Sequence, residues 1–199
     1  MHVPVKKITK YPLFIRAFFW KQKRTYGEVL KPGMLWARSP LVFATLALLY
    51  GALNRKSSPI DAALRSLVTV RVSQINHCAF CIDINSATLL KRGVSMEKIE
   101  ALSDWRSSEA FSAKERIALD YAEAITHSDK QTHKEMMDRL KLHFDDDAIV
   151  ELTGLISFQN MSSKFNAALD VPPGGFCLMP DMEQAARPEK ASKLISFVS

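Results

Sequence analysis

The chain has 199 residues, of which 47% are apolar and 24% charged, with a formal net charge of +6 and three cysteines. A single domain of this length buries roughly two-thirds of its unfolded surface without covalent staples, which excludes a disulfide scaffold, a collagen-like repeat and global disorder. An odd number of cysteines in such a chain fits a reducing, cytoplasmic compartment better than a secreted framework.

The basic charge sits at one end. Before Ser58, eleven Lys and Arg face a single acid, Glu28, whereas from Pro59 onward sixteen basic residues face twenty acids. We divide the chain into an N-terminal arm (1–38), a helical domain (39–172) and a tail (173–199). In the arm, Phe18, Phe19, Trp20 and Tyr26 interleave with Arg16, Lys21, Lys23 and Arg24. That pattern attracts phosphates or anionic membranes. With no nucleic-acid motif beside it, the reading we adopt is an amphipathic helix whose aromatics pack on the domain or on a neighbouring subunit while its cations reach water.

The most apolar stretch, Leu41 to Leu53, opens at Ser39-Pro40, a cap followed by Pro at the first helical position. It falls short of the ~18 residues of a bilayer span and reads as a buried helix. Arg16 interrupts the run from Phe14 to Trp20, so the first thirty residues lack the apolar core of a signal peptide. Ser58-Pro59 opens the next segment, Ile60 to Ile75. Within it, Val68, Val70 and Val72 alternate with Thr69, Arg71 and Ser73, a strand-like period. A lone strand cannot pair its backbone, so the segment reads as helix.

Ser95 opens Met96 to Leu102, and Ser112-Ala113-Lys114-Glu115 is a capping box for Arg116 to Thr126. Asp145 caps Ala148 to Leu169, whose stripe runs through Ile149, Leu152, Leu155, Ile156, Gln159 and Ser163. Val171-Pro172-Pro173-Gly174-Gly175 stops it. Beyond lies a polar tail ending in Leu194-Ile195-Ser196-Phe197-Val198, read as lying on the domain or on a neighbour. The fold class is all-α, without internal repeats.

The chemical signal is Gln74-Ile75-Asn76-His77-Cys78-Ala79-Phe80-Cys81, at the start of a helix that ends at Lys91-Arg92-Gly93. Residues three apart in a helical turn lie within the Cα separation a disulfide needs. The positive end of the helix also stabilises a thiolate. Three readings are open at this level: a dithiol switch, half of a zinc site completed by some of His77, His127, His133, His143 and Cys177, or two inert core residues. Cys177 lies in a distant loop and reads as a bystander.

Arg65 to Gly93, followed by Phe144-Asp145-Asp146-Asp147-Ala148-Ile149-Val150-Glu151-Leu152 and the run from Asn160 to Asn166, resembles the carboxymuconolactone decarboxylase superfamily, in its alkylhydroperoxidase D-like branch. The resemblance spans roughly residues 40 to 172. It implies an all-helical homo-oligomer, a trimer or hexamer. It also implies reduction of peroxides or disulfides by a dithiol with no metal or organic cofactor, and an external dithiol reductant. Mapped onto this chain, Cys81 would be the attacking thiol and Cys78 its resolving partner. The lactone-decarboxylating branch does not depend on such a pair.

In the branch resembled, a Glu twelve residues before the first Cys and a His four after the second relay protons. Here those positions hold Ser66 and Asn85, neither of which titrates near neutral pH. Substitutes are His77, able to pair with a thiolate, Asp83, able to act through water, and Glu151. Asn85 can still hydrogen-bond a sulfur or a water, with Ser66 orienting it. The expected function is a thiol–disulfide oxidoreductase cycling Cys78 and Cys81, with His77, Asn85 and Ser66 as supporting residues. The alternative is a helical scaffold or interaction protein that has lost the relay.

Overall fold

The computed structural model describes residues 1–129 and 133–177. Among them there are helices and no strands: α1 (Leu13–Tyr26), α2 (Lys31–Trp36), α3 (Pro40–Leu53), α4 (Ala62–Ile75), α5 (Ala79–Lys91), α6 (Met96–Glu100) with a 3-10 turn at Ala101–Asp104, α7 (Ala113–Thr126), α8 (Lys134–Lys141) and α9 (Asp146–Ala168). The tail beyond Cys177, including Leu194 to Val198, lies outside the described residues.

At the centre is α4, packed against α5, α7 and α9. Leu67, Val68, Val70 and Val72 are all buried, which explains the misleading alternation in the sequence. A helix enclosed on nearly every side carries apolar residues all round and shows no single amphipathic stripe. The cap of α4 differs from the expected one. Asp61, not Ser58, accepts from the backbone N–H groups of Ala63 (2.8 Å) and Leu64 (3.1 Å). The Ser58 hydroxyl instead accepts from Ile60 N–H and donates to Glu151. Ser39 stands at the N-cap of α3 ahead of Pro40 but its hydroxyl makes no cap hydrogen bond, whereas Ser95 caps α6, both arms of the Ser112/Glu115 box form, and Asp145 accepts from Ala148 N–H.

The expectation of a buried apolar helix at Leu41–Leu53 is corrected. In the single chain only Phe43 of α3 is buried, while Leu41 is 76% and Leu48 75% exposed. The helix has two apolar faces and this chain covers one of them. In the arm, Ile15 and Phe19 of α1 are buried, with Phe19 edge-on to Tyr11 and Phe43. Phe14 and Trp20 stay exposed, and the Arg24 guanidinium lies 4.2 Å over the Trp20 ring. Trp36, the last residue of α2, stacks on Phe165 of α9 with ring centroids 3.6 Å apart. Residues 1–38 thus lie against α3 and α9, forming one wall of the site.

No helix among the described residues is long and apolar enough to cross a membrane.

Candidate active site

Helix α4 ends at Ile75 with Asn76 as its C-cap, and the chain reverses at His77, whose φ of 52° is the left-handed conformation that His tolerates better than most residues. The turn delivers Cys78 as the N-cap of α5. Its backbone N–H donates to Ser73 O at 3.0 Å, and its Sγ accepts from Cys81 N–H at 3.2 Å. Cys78 and Cys81 are disulfide-bonded, with Cα atoms 5.2 Å apart. Both are nearly covered, at 1% and 3% exposure.

The two sulfurs have different surroundings. Cys81, and not Cys78, lines a cavity of about 420 Å³ bounded by α1, α2, α3, α5 and α9. Its walls are mostly apolar and aromatic, with Phe18, Tyr26, Trp36, Phe43, Phe80 and Phe158 among them. Asn166, near the end of α9, donates from Nδ2 to Cys81 Sγ at 3.3 Å, while its Oδ1 is buried without a partner among the described residues. An amide donor at a sulfur favours the thiolate once the pair is reduced, as does the N-terminus of α5.

Behind the pair runs a network of neutral groups. Ser73 Oγ accepts from Gln159 Nε2 (2.9 Å) and from Asn85 Nδ2 (3.4 Å) and donates to Thr69 O (2.6 Å). Asn76 Nδ2 donates to Asn160 Oδ1 and Ser163 Oγ at 2.8 and 2.9 Å. These bonds, several of them buried, hold the side chains that meet at the α4–α5 turn.

Asn85 lines the cavity with Cys81, but its amide nitrogen is given to Ser73 and the donor to the sulfur is Asn166. Ser66 accepts from Arg92 Nη1 at 2.6 Å and does not orient Asn85. His77 is exposed and is not among the cavity residues. Asp83 is fully buried and serves as an anchor, its carboxylate accepting from the backbone N–H groups of Gly174 and Gly175 (2.8 Å each) and Cys177 (2.6 Å). Gly175, at φ 75°, lets that turn close over the carboxylate. Cys177 is a buried free thiol, pushed up from its ordinary pKa by burial and then by the Asp83 charge. Glu151 pairs with Arg55 and Ser58, away from the sulfurs. Among the described residues no three His, Cys, Asp or Glu side chains gather to hold a metal ion.

Asn166, Gln159, Ser73 and Arg92 carry roles that sequence reasoning did not assign. A signal existed for Gln159: it stands on the buried stripe of α9 among Leu152, Leu155 and Ile156, where a polar side chain needs a partner.

A helical bundle that sets a Cys-x-x-Cys disulfide at the mouth of one helix, against an apolar chamber, defines a class of small helical dithiol/disulfide proteins. Within it, the chain belongs to the carboxymuconolactone decarboxylase family, whose model matches residues 40–124. It is 43% identical over 174 residues to YnjA of Escherichia coli (strain K12), a match covering 87% of this chain and 96% of that one. The fold is that of the alkylhydroperoxidase AhpD core, a peroxidase-related protein from Ralstonia eutropha JMP134 (TM-score 0.81, 19% identity, covering 89% of this chain and 95% of that one). It is also that of a peroxidase-related protein from Silicibacter sp. TM1040 (TM-score 0.78, 21% identity, 88% and 94%).

Proposed function

We propose that the protein is a thiol–disulfide oxidoreductase in which Cys81 attacks a substrate held in the aromatic cavity and Cys78 resolves the product. The observation that carries this reading is the asymmetry of the pair: bonded to each other, with Cys81 alone on the cavity wall.

With a disulfide substrate, the Cys81 thiolate attacks one sulfur, the substrate S–S bond breaks, and one half leaves as a thiolate that takes a proton from water. The Cys78 thiolate then attacks Cys81 Sγ, expels the second half and closes Cys78–Cys81. An external dithiol reopens the bond by the same exchange and is itself oxidised to a disulfide. With a hydroperoxide, the thiolate attacks the distal oxygen, the O–O bond breaks, the alkoxide leaves and takes a proton, and the resulting Cys81 sulfenic acid condenses with Cys78, releasing water.

The groups around Cys81 favour the first substrate class. Asn166, Gln159, Ser73 and Asn85 hold positions firmly but do not titrate near neutral pH. Exchange needs only a thiolate, whereas fast peroxide reduction benefits from an acid at the leaving oxygen. Assembly into a homo-oligomer belongs to the same reading, and the uncovered apolar face of α3 supports it.

The test is a single turnover with the reduced protein and a stoichiometric aryl disulfide, 4,4′-dithiodipyridine, without added donor. Wild type releases both halves as thione and ends with Cys78 bonded to Cys81, whereas Cys81→Ser is slowed by roughly a hundredfold or more, as for loss of a nucleophile. The reading falls if wild type forms no Cys78–Cys81 bond, or if Cys81→Ser reacts at the wild-type rate.

A further inference from the structure

Two arginines beside the cavity take no part in the thiol chemistry and form no ion pair with a carboxylate among the described residues. Arg65, on the first turn of α4, is 5% exposed; its Nη1 donates to Ile60 O at 2.7 Å and its Nε is buried without a partner among the described residues. Arg92, at the C-terminus of α5, reaches back to α4, where Nη1 donates to Ala62 O and to Ser66 Oγ. Burial first, and then the nearby Arg92 charge, push the Arg65 guanidinium below its ordinary range. The acids that act the other way are engaged elsewhere: Asp61 caps α4, and Glu151 is held by Arg55 and Ser58.

Arg65 and Arg92 line a second, small cavity of about 30 Å³ together with Ser66 and Thr69. Its volume suits a water or one small polar group. Tyr50, Asn85, Thr88, Phe158 and Gln159 line both this cavity and the large one, so the two adjoin. No Asp or Glu among the described residues lines either; the charged lining residues are Lys21, Arg65 and Arg92. The combined chamber is therefore apolar over most of its surface, cationic at one polar end, and open to Cys81 between.

We propose that Arg65 and Arg92 form an anion subsite that takes the carboxylate of an organic substrate whose apolar body occupies the Cys81 cavity. This rests on the reading of that cavity as the substrate pocket and narrows the substrate to an amphiphilic organic anion. Two guanidinium groups held close without a counter-ion repel each other and are costly to desolvate. A carboxylate entering between them relieves both penalties and accepts charge-assisted hydrogen bonds from planar donors that suit it. The apolar body adds burial against the aromatic wall. A neutral molecule of the same shape gains only the second term.

The experiment compares 4-phenylbutyrate with 4-phenylbutanol, binding to the oxidised full chain, by calorimetry or by the fluorescence of Trp36 on the cavity wall. No turnover is involved, so the outcome is independent of whether the dithiol cycles. The carboxylate binds wild type about tenfold tighter than the alcohol, on the scale of one charge-assisted hydrogen bond. Excess chloride weakens the carboxylate and leaves the alcohol unchanged. Ser66→Glu, which brings a carboxylate to the Arg92 guanidinium, removes the preference, as does Arg92→Gln, and both keep the alcohol affinity. Thermal denaturation shows that a variant is folded, and either folded variant suffices. The proposal is overturned if acid and alcohol bind wild type equally, including the case in which chloride alone occupies the subsite, or if the preference survives in a folded variant. A protein that keeps the preference but fails to close Cys78–Cys81 sinks the oxidoreductase reading and leaves this one standing.

Discussion

Among the described residues Cys81 Sγ has one side-chain hydrogen-bond donor, the amide of Asn166, 85 residues away in sequence. Hydrogen bonds to charged acceptors contribute about 1.5–3 kcal/mol, and less where sulfur is the acceptor. Replacing Asn166 with Leu, which keeps the bulk and removes the donor, is expected to slow alkylation of reduced Cys81 at pH 7 by about tenfold, near 1.4 kcal/mol. Competitive labelling with iodoacetamide and peptide mass spectrometry checks this; an unchanged rate would show that the amide does not act on the thiolate. At this scale the sequence was informative where chemistry is carried by spacing and silent where it is carried by distant amides. Cys78 and Cys81 announce themselves as a pair three apart. An Asn near the end of a long helix announces nothing, and neither does the diversion of Ser66 to Arg92, because each depends on which helices become neighbours.

Among the elements, α4, α7 and the 3-10 turn are tied together by Glu123. Its carboxylate receives Trp105 Nε1 (2.9 Å), Arg106 Nη1 (2.7 Å) and Arg71 Nε (2.8 Å). Burial by itself would raise the Glu123 pKa, but the Trp105 indole and the two guanidinium groups outweigh it and bring the pKa down to about 2. The sign follows: with the folded value below the unfolded one, near 4.3, the carboxylate stabilises the fold fully above about pH 4.5 and loses that contribution as the pH falls toward 2. Glu123→Gln, which leaves the half-buried Arg71 without its carboxylate while Arg106 keeps Asp120, is expected to cost about 3 kcal/mol near neutral pH and to flatten the loss of stability between pH 4.5 and 2. Urea melts across that range test it; a wild-type stability that does not fall there would contradict it.

Helix starts were largely readable because caps are local. Ser95, Ser112 with Glu115, and Asp145 all bond the backbone of their own first turn. The cap of α4 was misplaced by three residues because Ser58-Pro59 and Asp61 both carry capping chemistry, and the choice fell to Glu151, a long-range partner that took the Ser58 hydroxyl.

For the molecule as a whole, the apolar surface left on the outside is informative. The inner face of α3, with Phe43, Leu46 and Ala47, lines the cavity, while Leu41 and Leu48 point away from it into solvent. Hydrophobicity alone called this helix buried; it could not distinguish burial within one chain from burial between chains. A second copy of the chain is expected to cover the outer face. Light scattering coupled to gel filtration should give a multiple of the 22.4 kDa chain mass, and Leu48→Glu should lower that multiple. A monomeric wild type would contradict the expectation.

In the proposed cycle the two sulfurs are unequal, Cys81 meeting the substrate and Cys78 following. The most direct measurement compares Cys78→Ser with Cys81→Ser, both reduced, for the rate at which each captures one half of 4,4′-dithiodipyridine, the captured half being located by peptide mass spectrometry. Capture on Cys81 should be at least about tenfold faster than capture on Cys78, as expected when only one thiol is accessible to the reagent. Equal rates, or faster capture on Cys78, would contradict it.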